Sequence, residues 1–170
     1  MCIMNMKNNK GFTLIEIIMV ILLVGILAAA AVTQFLNFQA EAKDASVQAS
    51  LSALRAGINN QYAQMQLRCG ATGSAFPAMA DIAANDITTG GSTCVAGDIT
   101  NVGERKFITG AVPANAWGGV STITACVGGG CTARTNPCNN VARVLGWCYD
   151  VSTGEIWADS ALSGNNEYSF

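Results

Sequence analysis

Histidine is absent from this 170-residue chain, and only 12% of its residues are charged, against the ~25% usual for soluble domains. Losing histidine removes the commonest general base and metal ligand, and with it any Ser-His-Asp triad. No paired carboxylates stand in a glycosidase-like context, and no glycine-rich stretch links a strand to a helix as phosphate loops require. An enzyme is not expected, so no catalytic residue, cofactor or metal is assigned. There is no basic patch either, which leaves nucleic-acid binding without electrostatic support. Proline is scarce, and none precedes Pro77.

What is present is one long apolar run. Ile17 to Val32 is uninterrupted by charge, the apolar character persists to Phe38, and residues 17–40 carry no charge at all. About 20 such residues span a bilayer core. Lys7 and Lys10 precede the run without a compensating acid, which places the N-terminus in the cytoplasm and exports the C-terminal body. A conventional cleaved signal, cut near Ala28-Ala29-Ala30, is the rival reading. The run is longer than the usual h-region, and Glu16 would interrupt its start.

Glu16 is the informative residue. A carboxylate near the bilayer centre costs roughly 2.5–3.5 kcal/mol on insertion scales, so an ionisable group at the head of such a run asks for a counter-charge. Gly11-Phe12-Thr13-Leu14-Ile15-Glu16 is similar to the processing motif of the type IV prepilins, and Met1–Gly11 with Lys7 and Lys10 resembles their leader. The resemblance covers about the first third of the chain. It implies that a prepilin peptidase cuts after Gly11 and methylates the new amine of Phe12. It further implies that Glu16 pairs with the Phe12 amine of a neighbouring subunit during filament assembly. Leader removal takes Lys7, Lys10 and Cys2 with it, moving the net charge from −2 to about −4. Many members carry proline at the position of Thr33, between which and Gly25 the helix of some filaments unwinds; this chain departs from that pattern.

Beyond the apolar run the helical pattern continues. Val47, Leu51, Leu54, Ile58, Tyr62 and Met65 recur at intervals of 3 and 4, with Gln48, Ser52, Arg55 and Asn59 opposite. A helix from Phe12 to about Leu67 would measure ~84 Å, with one half in lipid and the other packed on the C-terminal body. Lys43 and Asp44 fall close to that boundary.

The remaining six cysteines, Cys69, Cys94, Cys126, Cys131, Cys138 and Cys148, all lie beyond the apolar run. An even number in an exported, glycine-rich body reads as disulfides. Zinc is the rival, but there is no Cys-x-x-Cys and no histidine. Val127-Gly128-Gly129-Gly130 would allow a tight Cys126–Cys131 reversal; Cys138–Cys148 and Cys69–Cys94 would complete a sequential set, other connectivities staying open.

Residues 70–104 read as a connecting region with short helical turns. Strands are expected over Arg105–Thr109, Val120–Val127, Val141–Val151 and Glu155–Asp159, the last two joined by a Ser152-Thr153-Gly154 turn. Gly146-Trp147-Cys148-Tyr149-Asp150, Thr153-Gly154-Glu155-Ile156-Trp157 and the Val112-Pro113-Ala114-Asn115 turn resemble parts of pilin and pseudopilin heads. Trp117, Trp147, Tyr149, Trp157, Tyr168 and Phe170 are expected to pack across a sheet. Asp150, Glu155 and Asp159 are too scattered for a calcium loop.

The expected fold is α+β: a long N-terminal helix packed on an antiparallel, disulfide-bonded sheet domain. The divisions are a leader (1–11), an apolar membrane or filament-core helix (12–38), its amphipathic continuation (39–68) and a globular head (69–170). The resemblance implies a structural subunit of a type IV pilus. Its partners would be prepilin peptidase, the inner-membrane assembly machinery and further copies in a helical filament. The precursor would be a single-pass inner-membrane protein and the product an extracellular filament. A type II secretion pseudopilin or minor pilin, and a tethered binding domain that never polymerises, are the alternatives.

Overall fold

Free of proline, and with glycine only at Gly25 and Gly57, the first long segment forms one helix, α1 (Leu14–Arg68). The computed structural model describes residues 11–70, 76–88, 94–126, 138 and 145–159. The chain forms two compact units divided between Ala40 and Glu41.

In the first unit, every described residue before Ala40 is exposed. Fourteen large apolar side chains between Ile17 and Phe38 are at least 41% exposed. At ~1.5–3 kcal/mol for covering each, this face represents tens of kcal/mol of unmet burial, against ~3 kcal/mol for one carboxylate in lipid. The apolar term wins by a wide margin. This segment is long and apolar enough to cross a membrane.

In the second unit the helix turns amphipathic. Val47, Leu51, Leu54, Ile58 and Met65 are fully buried, as their spacing requires. Tyr62 departs from the expectation: it is half-buried and stacks on Phe76 with ring centroids 4.5 Å apart. Gln61 takes the core position instead, because its amide donates to the carbonyls of Glu104 and Lys106, both at 2.7 Å. Arg55, on the expected solvent face, reaches the Ile156 carbonyl at 3.1 Å.

The sheet has three strands in the order β1 (Ile123–Ala125), β2 (Trp147–Asp150), β3 (Glu155–Ala158). β2 and β3 form the expected antiparallel hairpin, with Asp150 opposite Glu155 and Cys148 opposite Trp157. β1 pairs with β2 in parallel, so the sheet is mixed rather than purely antiparallel. A parallel pair needs a long connection, and β1 and β2 are far enough apart in sequence to allow one, a relation that hydropathy does not register. β2 is buried on both faces. Trp147 and Tyr149 join Ile123, Ile156 and the α1 residues in the main core, while Cys148 and Trp157 pack on Cys138. The predicted strand over 141–144 and the aromatics Tyr168 and Phe170 lie outside the described residues.

The strand expected over Arg105–Thr109 is not formed. Asn101 accepts from the Gly103 amide at 2.9 Å and starts a 3-10 turn, Val102–Arg105. Past it, one side chain replaces a neighbouring strand. Asn85 ends helix α2 (Met79–Ala84) in the left-handed conformation, φ 54°. Its Oδ1 accepts from the amides of Phe107 and Ile108, and its Nδ2 donates to the carbonyls of Ile108 and Gly110. With those groups satisfied, segment 107–110 needs no ladder.

Candidate assembly site

The N-terminal residues are placed by a local cap. Gly11, Phe12 and Thr13 precede the helix, and Thr13 occupies the position before Leu14. The Glu16 amide donates to Thr13 Oγ1 at 3.4 Å and to the Thr13 carbonyl at 3.1 Å; the Ile17 amide reaches the same carbonyl at 3.4 Å. Thr13 therefore satisfies first-turn donors that otherwise have no partner. Its role was legible in advance, since Thr13-Leu14-Ile15-Glu16 has the Thr-x-x-Glu spacing of a capping box. Glu16 sits in the first turn, where the helix dipole favours an anion. Phe12 is 80% exposed and Glu16 is exposed, so both face whatever lies outside the chain.

In the head, Cys69 is bonded to Cys94 and Cys138 to Cys148. Cys126 is also disulfide-bonded, and Cys131 lies outside the described residues. The first bridge ties the residue that follows α1 to Cys94 within the connecting region, and the second pins β2 on the face it shares with Trp157. Asp159 lies within 4.8 Å of the Cys138 and Cys148 sulfurs. Those sulfurs are spent in a disulfide and offer no thiolate for a metal.

Several polar residues hold the head in ways that periodicity could not show. Asn115, fully buried, donates to the Gly146 carbonyl at 3.0 Å and accepts from the Trp117 amide at 3.0 Å. The expected Pro113/Asn115 turn is thereby locked to β2, and Trp147 Nε1 adds a bond to the Pro113 carbonyl at 2.8 Å. The Tyr149 hydroxyl donates to the buried Pro77 carbonyl at 2.8 Å. Burial, reinforced by the nearby charges of Asp150 and Asp81, holds that phenol well above the ordinary tyrosine range. Asp150 is pushed the other way: slight burial raises its carboxyl, but hydrogen bonds from Ser152 and Thr153 outweigh it and hold it below the usual carboxylate range. The turn closes through the Gly154 amide on the Asp150 carbonyl at 2.8 Å, with Gly154 at φ 72° as the turn requires. Trp117 is not on the sheet; it meets Lys43 and Asp44 of α1.

The start of α1 is thus capped at Thr13, bears one acid in its first turn, and leads into an apolar run that is exposed on every side. Residues 6–32 match the family model described as the prokaryotic N-terminal methylation motif. The chain is 47% identical over 47 residues to the type IV major pilin protein PilA of Myxococcus xanthus, covering 28% of this chain and 21% of that protein. It is 48% identical over 46 residues to the type IV narrow pilus major component PilA5 of Thermus thermophilus, covering 27% of this chain and 40% of that one. The match thus spans well under two thirds of either relative's length. The likeness to these two pilins is confined to the N-terminal segment. No solved structure matches the chain significantly.

Proposed function

We propose that this protein is a structural subunit of a type IV pilus and not an enzyme. It is held as an inner-membrane precursor with leader 1–11, core helix 12–38, amphipathic continuation 39–68 and exported head 69–170. Prepilin peptidase cuts between Gly11 and Phe12 and methylates Phe12. The assembly machinery then transfers the helix from lipid into a helical filament of identical subunits on the cell surface. The observation that carries this reading is the position of Glu16, one turn into a helix whose following apolar surface is uncovered throughout.

Phe12 and Glu16 act between copies. The Phe12 amine of one subunit compensates Glu16 of the next, and a slipped register strands both charges, at ~3–5 kcal/mol for a broken buried pair. Apolar contact supplies the bulk affinity, and the ion pair selects the register. Small residues, Gly25 and Ala28–Ala31, let neighbouring helices approach. Both relatives are named as pilus major components, which supports a major subunit over a secretion pseudopilin or minor pilin. The six exported cysteines are proposed to form three bridges, Cys126 with Cys131 being the third; non-reducing peptide mapping checks that pairing.

The test is the N-terminal mass of the mature protein together with filament yield. A methylated Phe12 is expected, with Glu16→Ala still cleaved but yielding few sheared filaments. Wild-type filament yield from that variant defeats the pairing; a polypeptide beginning near Ala30 defeats the whole reading.

A further inference from the structure

Trp147 and Trp157 are fully buried, but the third tryptophan, Trp117, is only half-buried and keeps part of its ring at the surface. Its Nε1–H donates to Asp44 Oδ1 at 2.8 Å, and the Lys43 ammonium stands 4.7 Å from its ring centroid. The fold brings these residues together across 73 positions of sequence. Val120, in the same loop, is 37% exposed.

Lys43 follows Phe38, the end of the exposed apolar run, by five residues. Whatever its conformation, a five-residue chain reaches at most ~18 Å. The headgroup layer on each side of a bilayer core is about 5–7 Å thick. Tryptophan rings concentrate at that level, and lysine extends its ammonium toward phosphate from beside it. Trp147 and Trp157 are covered completely, while Trp117 packs on the main core and stays partly exposed. Trp117 instead has its N–H satisfied by Asp44, a cation over its ring, and apolar edge left over.

We propose that Trp117 and Lys43 form an interfacial anchor: in the membrane-held subunit the ring rests at the glycerol and phosphate level, and the partner is the lipid surface itself. The inference rests on the membrane-held precursor proposed above. The anchor holds Trp117 and Lys43 at the lipid surface until the subunit leaves the bilayer.

The experiment uses the full-length protein in phosphatidylcholine vesicles containing a lipid spin-labelled either near the headgroup or at the end of the acyl chain. Co-flotation reports insertion, and tryptophan emission reports depth. The shallow label is expected to quench a component that the deep label spares by at least two-fold. That component is absent in Trp117→Phe and reduced in Lys43→Glu. Because Trp147 and Trp157 are buried, the wild-type measurement decides even if a variant folds poorly. Co-flotation without shallow quenching, or with equal quenching by both labels, overturns the anchor and leaves the membrane reading standing. Failure to co-float overturns both.

Discussion

Gly57 packs directly on the carbonyl of Phe107: a methyl placed on its Cα would lie 2.1 Å from that oxygen and 2.8 Å from the carbonyl carbon. The close approach lets α1 lie against the segment that Asn85 holds, and it sets the thickness of the head at that point.

Gly57→Ala is therefore expected to destabilise the head. The helix-propensity gain of ~1 kcal/mol is smaller than the ~1–3 kcal/mol that overpacking against backbone costs. A lower denaturant midpoint with unchanged slope is the expected result. Gly25→Ala is the control, because nothing lies within 4 Å of a methyl there. It should leave head stability unchanged.

Tyr149→Phe removes the bond to Pro77 and leaves a buried carbonyl without its donor. About 0.5–1.5 kcal/mol of stability should be lost. The wild-type phenol is held neutral in the fold, with its pKa raised above the unfolded ~10. Its contribution is complete below pH ~10 and is lost as pH rises further, since the unfolded chain sheds the proton first. Unfolding followed above pH 10 should show a steeper decline in wild type than in the variant.

Asp150 should govern the acid side of the hairpin. Its folded pKa lies below the unfolded ~3.9, so its stabilisation is present above that value and lost as pH falls through the folded one. Protection of the Ser152 and Gly154 amides against exchange, taken relative to the intrinsic rate at each pH, should fall below pH 4. Asp150→Asn, which can still accept from the Ser152 amide, should keep the turn but lose the pH dependence.

Thr13→Ala should fray the first turn of α1 by about 1 kcal/mol, and Thr13→Ser should not. Exchange at the Glu16 and Ile17 amides in lipid measures it directly. Because Glu16 sits in that turn, filament yield should fall in the same order. Equal exchange in all three proteins would remove the cap from the account.

The residues divide by how far their partners lie along the chain. The order of Lys7, Lys10, Gly11, Phe12, Glu16 and apolar run is legible in sequence, because hydropathy and charge need no particular fold. The stripe from Val47 to Met65 and the β2–β3 hairpin were readable because 3.6- and 2-residue periods show in the order of residues. Arg105–Thr109 misled for the same reason: its apolar residues fit a strand, but its hydrogen bonds go to Asn85, over 20 residues back.

By itself, then, the chain determined which segment seeks an apolar surrounding, which end of it bears a single acid, and which residues of its continuation face inward. Tertiary structure alone decided the parallel pairing of β1 with β2, the pinning of loops by Asn85 and Asn115, the Tyr149–Pro77 bond and the meeting of Trp117 with Lys43. Apolar burial is nondirectional and accumulates along a sequence. A buried polar group must find a particular partner, and that partner's address exists only once the chain has closed on itself.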